Sequence, residues 1–240
     1  HNRTLLVLDG CVQAALAPNI NAATARVLDK LGITLIKAEK AGCCGAVTFH
    51  LNAQQEGLEY MRRNIDAWWP FIEQNKVEAI AITASGCGVT VKEYGHLLQH
   101  DEKYAEKAAR ISALAKDVSE ILYAELESIQ QRLDQRNVGI ERSNLQHGMQ
   151  IRGIVEKILT AVGFDLAHVA NAHLCCGSAG TYSILQPQLS QQLLKNKIIA
   201  LESSQPDQIA TANIGCLMHL QSGTSLSVKH WVELVDERLS

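Results

Sequence analysis

Proline is scarce in these 240 residues, four in all, and aromatic residues make up only 5% of the chain. With 47% hydrophobic residues and no polar low-complexity tract, disorder is not expected, and the chain is long enough to bury one large core or two smaller ones. An apolar run of bilayer length is missing, so no direct membrane span is expected and any membrane contact would come through a partner. Strong charge of either sign is missing too: the formal net charge of −3 gives no footing for nucleic acid or an anionic lipid surface. The opening residues do not read as a secretory leader, and the chain opens at His1 just before the strand-like run Leu5-Leu6-Val7-Leu8, so it is expected to be a piece of something longer.

Cysteine, by contrast, is plentiful. Seven is an odd number, and four of the seven form two adjacent pairs, Cys43-Cys44 and Cys175-Cys176, which suits a disulfide framework poorly. In a chain of this length without a leader, clustered cysteines point to metal ligation or thiol chemistry in a reducing compartment, here taken as the cytoplasm.

The chain contains itself twice. Leu31-Gly32-Ile33-Thr34, leading to Ala41-Gly42-Cys43-Cys44-Gly45, is echoed by Val162-Gly163-Phe164-Asp165, leading to His173-Leu174-Cys175-Cys176-Gly177. Ile82-Thr83-Ala84-Ser85-Gly86-Cys87 returns as Ala210-Thr211-Ala212-Asn213-Ile214-Gly215-Cys216. The first half has one more cysteine, Cys11, placed 32 residues before Cys43; the same offset from Cys175 falls on Ser143, a hydroxyl where the repeat calls for a ligand.

Periodicity fits two copies of one unit. Strands are expected at Leu5–Leu8, Ile33–Ala38 and Val77–Thr83, with helices at Asn21–Leu31, Asn52–Gln74 and Val89–Leu98, the first of these capped by its asparagine. The second half repeats the order, with strands at Val138–Glu141, Phe164–Val169 and Gln208–Ala212 and helices at Gln150–Val162 and Pro187–Glu202. The fold class is therefore α/β: two pseudo-repeated parallel-sheet units, 1–100 and 136–240, joined by a long helical connector at 101–135 that breaks near Lys116-Asp117. Sites on such sheets form beyond the carboxyl ends of the strands, where every cysteine falls. Cys11, Cys43, Cys44 and Cys87 would converge on one edge, and Cys175, Cys176 and Cys216 on the other.

Thiolates select soft or borderline metals: iron–sulfur clusters, zinc or cuprous copper. A structural zinc knuckle is usually built on closely spaced pairs such as Cys-x-x-Cys, and neither half has one. Adjacent cysteines are easier to seat on different atoms of a multi-iron cluster than on one tetrahedral ion. A cluster, zinc, dithiol redox chemistry and buried structural cysteines all stay open on residue chemistry alone.

Longer strings narrow the choice. Ala41-Gly42-Cys43-Cys44-Gly45-Ala46, Ser85-Gly86-Cys87-Gly88 with Val91-Lys92-Glu93-Tyr94-Gly95-His96, Leu145-Gln146-His147-Gly148, and Leu174-Cys175-Cys176-Gly177-Ser178-Ala179-Gly180-Thr181-Tyr182 resemble the iron–sulfur subunits of bacterial glycolate oxidases. More broadly, they resemble the duplicated cysteine-rich domain of heterodisulfide reductase and its relatives. The resemblance implies an electron-transfer subunit of an oxidoreductase complex. Such a subunit takes electrons from a flavoprotein partner that oxidises glycolate and passes them toward quinone. It implies an iron–sulfur cofactor, [4Fe–4S] or noncubane, with FAD only on the partner, and a cytoplasmic place, peripheral to the inner face of the cell membrane through the complex. It also implies metal ligation by Cys11, Cys43, Cys44, Cys87, Cys175, Cys176 and Cys216. A heterodisulfide or thiol–disulfide reductase and a zinc-stabilised assembly scaffold are the alternatives.

This sequence departs from the wider family where the relatives carry Cys-x-x-Cys. It has Cys87-Gly88-Val89-Thr90 and Cys216-Leu217-Met218-His219 instead, so a five-thiolate site is not available in either half. His219 could complete the second site, although a hydrogen bond that tunes the site is the commoner role for a lone histidine. His147, His50, His96 and His173 are read the same way, Trp68-Trp69 as core and rim. With Ser143 in place of a thiol, the second half is expected to be empty or labile.

Overall fold

Short strands alternating with amphipathic helices fold here into crossover units on two parallel sheets. The structure, a computed structural model, describes residues 1–133, 141–146 and 153–240, with 141–146 described as backbone strand only. It divides into two units, His1–Ile121 and Leu122–Ser240.

The first unit runs β1 (Arg3–Val7), α1 (Val12–Leu16), α2 (Asn19–Lys30), β2 (Ile33–Lys37), α3 (Ala46–His50), α4 (Gln54–Glu73) and β3 (Ile80–Ile82). It continues through α5 (Ser85–Leu97), α6 (Ala105–Leu114) and β4 (Ala115–Asp117), with α7 (Val118–Ala124) at the boundary. The sheet order is β2-β1-β3-β4. Burial follows helical spacing: α2 turns Ile20, Ala23, Thr24, Val27 and Leu28 inward, and α4 turns Met61, Ile65, Trp68 and Ile72 onto the sheet. Each large apolar side chain among these stabilises the unit by about 1.5–3 kcal/mol when fully buried. Trp68 is wholly buried, while Trp69 lies at the rim with Lys107 Nζ 5.2 Å from its ring centre, so the pair is core and rim.

The second unit runs α8 (Leu126–Leu133), β5 (Glu141–Gln146), α9 (Ile154–Ala161), β6 (Phe164–Leu166), α10 (Tyr182–Leu185) and α11 (Pro187–Glu202). β7 (Gln208–Thr211), α12 (Ile214–Gln221), β8 (Ser227–His230) and α13 (Trp231–Leu239) follow. Its sheet order, β6-β5-β7-β8, repeats that of the first unit. α13 buries Trp231, Val232, Leu234, Val235 and Leu239 and starts from a capping box between His230 and Glu233.

Several expectations change. The stretch 101–135 is not one connecting helix: Ala115-Lys116-Asp117 pairs with Ile80-Ala81-Ile82 as the edge strand β4, placing 101–121 in the first unit. The half-buried alternation around Lys116 suits a strand, and Asp117 then caps α7 by accepting from Ser119 N (2.8 Å) and Ser119 Oγ (2.6 Å). α2 begins at Asn19, so Asn21 is not its cap. The strand read at Val138–Glu141 lies at Glu141–Gln146, where it pairs with β6 and β7 on either side; 138–140 fall outside the described residues.

Candidate metal centre

In the first unit the strand order reverses at β1, so the crevice beyond β1 and β3 is where loops diverge and a ligand can enter. Cys11 stands at the N-cap of α1, after β1. Cys43 and Cys44 occupy the loop after β2, just ahead of α3. Cys87 comes after β3, not in the loop expected from sequence but in the first turn of α5, which begins at Ser85. The thirteen-residue α5 thereby carries Cys87 at its N-terminal end, where the backbone N–H groups have no partner within the helix.

The four thiols form a row. Cys11 neighbours Cys43, Cys43 neighbours Cys44, and Cys44 neighbours Cys87, each acting on the next thiol's proton. Cys44 is buried, Cys43 and Cys87 are half-buried, and Cys11 is exposed at the rim. The contact with Cys43, with burial, holds the Cys11 thiol well above its ordinary range. For Cys43 the contact with Cys11 acts downward, but the contact with Cys44 and burial leave it raised. For Cys44 the contact with Cys43 lowers it, yet Cys87 and burial push it up to about 12. All three therefore hold their protons at neutral pH, and a soft metal must displace them. Among the described residues no group of three or more His, Cys, Asp or Glu side chains closes round a single ion position.

Buried polar side chains fix the loops that carry these thiols. Asn64, fully buried on α4, accepts from Gly42 N (2.8 Å) and donates to Cys43 O (2.8 Å) and to Tyr94 Oη (3.1 Å). Tyr94 Oη donates in turn to Cys44 O (2.8 Å). Gln13 Nε2 donates to Asn21 Oδ1 (2.8 Å) and Thr83 Oγ1 (2.5 Å), and Asn21 Nδ2 donates to Asp9 Oδ1 (3.2 Å), which ties the turn before Cys11 to the end of β3. Gly45 has φ +87°, and a Cβ there would stand 2.6 Å from Gly57 O. Its counterpart Gly177, at φ +92°, would put a Cβ 2.6 Å from Ser190 O, so both Cys-Cys turns need glycine.

The second unit brings Cys176 and Cys216 together, their sulfurs 3.3 Å apart, and Cys175 accepts from Gly177 N (3.3 Å) at the exposed edge. Cys216 sits in the first turn of α12, as Cys87 does in α5. The hydrogen bond between the two brings Cys176 down to about 7 against the pull of burial, while the same bond, with burial, raises Cys216. Lys197, 2% exposed, donates to Ala172 O (2.8 Å) in the loop that leads to Cys175. Burial pulls its ammonium down, and Cys176, Cys216 and Cys175 oppose that pull.

His219 Nε2 is 3.1 Å from Ser190 Oγ, which donates to Gly177 O (2.8 Å), so His219 supports the turn through Ser190. His50, His96 and His173 are exposed, and His147 lies outside the residues whose side chains are described. The strand register revises the place of Ser143. Val7 pairs with Ala81 and Leu145 with Ala210, and those two alanines stand equally far before Cys87 and Cys216. By that measure Ser143 matches Leu5 inside the strand, while Cys11 matches position 149, outside the described residues. On either count the second half has no fourth cysteine.

Asn64, Lys197 and Ser190 were missed by motif reading. The available signal was a polar residue inside an otherwise apolar helical stripe: Asn64 beside Met61, Ile65 and Trp68, and Lys197 beside Leu194, Ile198 and Leu201.

Two α/β units with parallel strands, each delivering an adjacent cysteine pair and a helix-borne cysteine to an edge of its own sheet, define a duplicated cysteine-rich domain protein. The chain belongs to the cysteine-rich domain (CCG) family, whose model matches residues 5–92 and 142–221. It is 53% identical over 240 residues to the glycolate oxidase iron-sulfur subunit of Escherichia coli (strain K12), a match covering all of this chain and 59% of that protein. It is 30% identical over 224 residues to the probable glycolate oxidase iron-sulfur subunit of Bacillus subtilis (strain 168), covering 89% of this chain and 48% of the relative. The chain thus spans only about half to three fifths of these two relatives. Lactate utilization protein A of Anoxybacillus flavithermus, 25% identical over 248 residues, is matched along its whole length. The resemblance read from the Cys-Cys-Gly strings is borne out.

Proposed function

We propose that this chain is the electron-carrying, cysteine-rich part of a glycolate-oxidising oxidoreductase complex, taking electrons from a flavin-containing subunit and passing them toward quinone. The observation that carries this is the row of four thiols, drawn from the ends of three separate strands, at the switch point of the first sheet. Their number and softness fit a [4Fe–4S] cluster, which when bound supplies one-electron chemistry at a site with no exchangeable substrate. Cys11, Cys43, Cys44 and Cys87 would hold it, and the protein's task is to fix the loops, bury one side of the sulfur row and leave Cys11 at the rim for electron entry. Cys175, Cys176 and Cys216 offer a second, three-thiolate site that binds more weakly.

The flavin, FAD, and the substrate belong to the partner in this reading. All seven cysteines are free, in keeping with the cytoplasm. Among the described residues no helix is long and apolar enough to cross a membrane, so the complex would meet the inner face of the cell membrane peripherally.

The test uses the assembled complex. Glycolate added anaerobically should bleach the iron–sulfur absorbance, and Cys44→Ser should leave flavin reduction intact while slowing delivery to a quinone analogue at least tenfold. Quinone reduction at the parental rate in Cys44→Ser would contradict the proposal.

A further inference from the structure

Lys197 has no place in the reading above. Burying an ammonium is unfavourable unless an anion lies beside it. Yet this lysine is 2% exposed, between Leu194, Ile198 and Leu201 on α11, while Lys195 on the same helix stays in solvent. Its described hydrogen bond goes to a neutral carbonyl, Ala172 O, and the ionisable groups acting on it are Cys176, Cys216 and Cys175. Among the described residues no carboxylate is paired with it. The buried charge is therefore matched to the sulfur site, and three cysteines surviving merely as small apolar side chains would give it no counter-charge.

The first unit shows what stands there otherwise. Gly45 packs on Gly57 O and Gly177 on Ser190 O, which superimposes α4 on α11. Asn64 and Lys197 are each about two helical turns further on, so they hold the same place beneath their Cys-Cys loops. Both donate to a loop carbonyl, Cys43 O and Ala172 O. One is neutral and the other cationic. The first site thus combines four thiolates with an amide, the second three thiolates with an ammonium, leaving the second two negative charges poorer.

We propose that Lys197 is a potential-setting residue, which makes the second site the more readily reduced of the two. This rests on the reading that Cys175, Cys176 and Cys216 hold a cluster. Reduction there adds one electron from the donor, flavin in the complex or dithionite in a titration, with no bond made or broken, and the ammonium keeps its protons. A fixed positive charge beside the sulfurs favours the state carrying that electron, and net charge is one of the terms that set cluster potentials.

The test is a redox titration of the anaerobically loaded chain, followed by electron paramagnetic resonance. The second-unit signal is the one lost in Cys176→Ser. Lys197→Gln keeps a donor for Ala172 O without the charge, and should move that signal's midpoint down by at least tenfold in the one-electron equilibrium, about 59 mV. Lys195→Gln and Lys197→Arg should keep the parental midpoint. An unmoved midpoint in Lys197→Gln overturns the inference, as does loss of the signal in both the Gln and the Arg variants, which would make Lys197 a packing element. A parental chain whose iron and spectra ignore Cys176→Ser overturns the inference together with the cluster reading beneath it.

Discussion

Cys44→Ser should strip most of the bound iron and sulfide from the chain, and Cys176→Ser a clearly smaller share. Cys44 is 4% exposed and is the middle link of the row, in contact with both Cys43 and Cys87. A hydroxyl there is far less acidic than a thiol and a poor ligand for iron, so the site falls from four soft ligands to three. The second unit begins at three, and its loss removes the weaker site. Iron and sulfide counted on anaerobically reconstituted variants, with parental secondary structure confirmed, decide this. Equal losses from the two substitutions would contradict the asymmetry.

Asn64→Leu should lower the unfolding midpoint of the metal-free chain by on the order of 10 °C, given about 2–4 °C per kcal/mol for a chain of this class. Leucine fills a similar volume but leaves Gly42 N and Cys43 O without the partners they have at 2.8 Å, and takes one partner from Tyr94 Oη. Each buried group so stranded costs about 1–3 kcal/mol. Because the network is made by protein groups alone, the loss should appear without metal, and loading should then also fall as the Cys43-Cys44 loop loosens. A thermal melt of apo Asn64→Leu that matches the parent would show that the loop is held by something else.

Residues whose chemistry repeats were legible in the sequence, and residues whose role depends on packing were not. The helix at Pro187–Glu202 was readable to the residue, because proline opens it and the apolar spacing is strong. β4 and β8 were not, because Ala115-Lys116-Asp117 and Ser227-Val228-Lys229-His230 are short edge strands whose pairing is decided by the neighbouring strand. The thiols could be grouped correctly from the repeat alone, since topology sends every βα loop to the same sheet edge. Their supports could not: Asn64 and Lys197 act across about twenty residues of sequence on loops that only folding brings near them. Offset counting also placed Ser143 opposite Cys11, whereas strand pairing sets it opposite Leu5, because the loops of the two halves differ in length.

Iron, acid-labile sulfide and zinc counted per chain on one anaerobic preparation test the central claim most directly. A brown protein is expected, with iron and sulfide in nearly equal amounts, about four of each for the first-unit site, and little zinc. A colourless chain carrying zinc and no sulfide would contradict it.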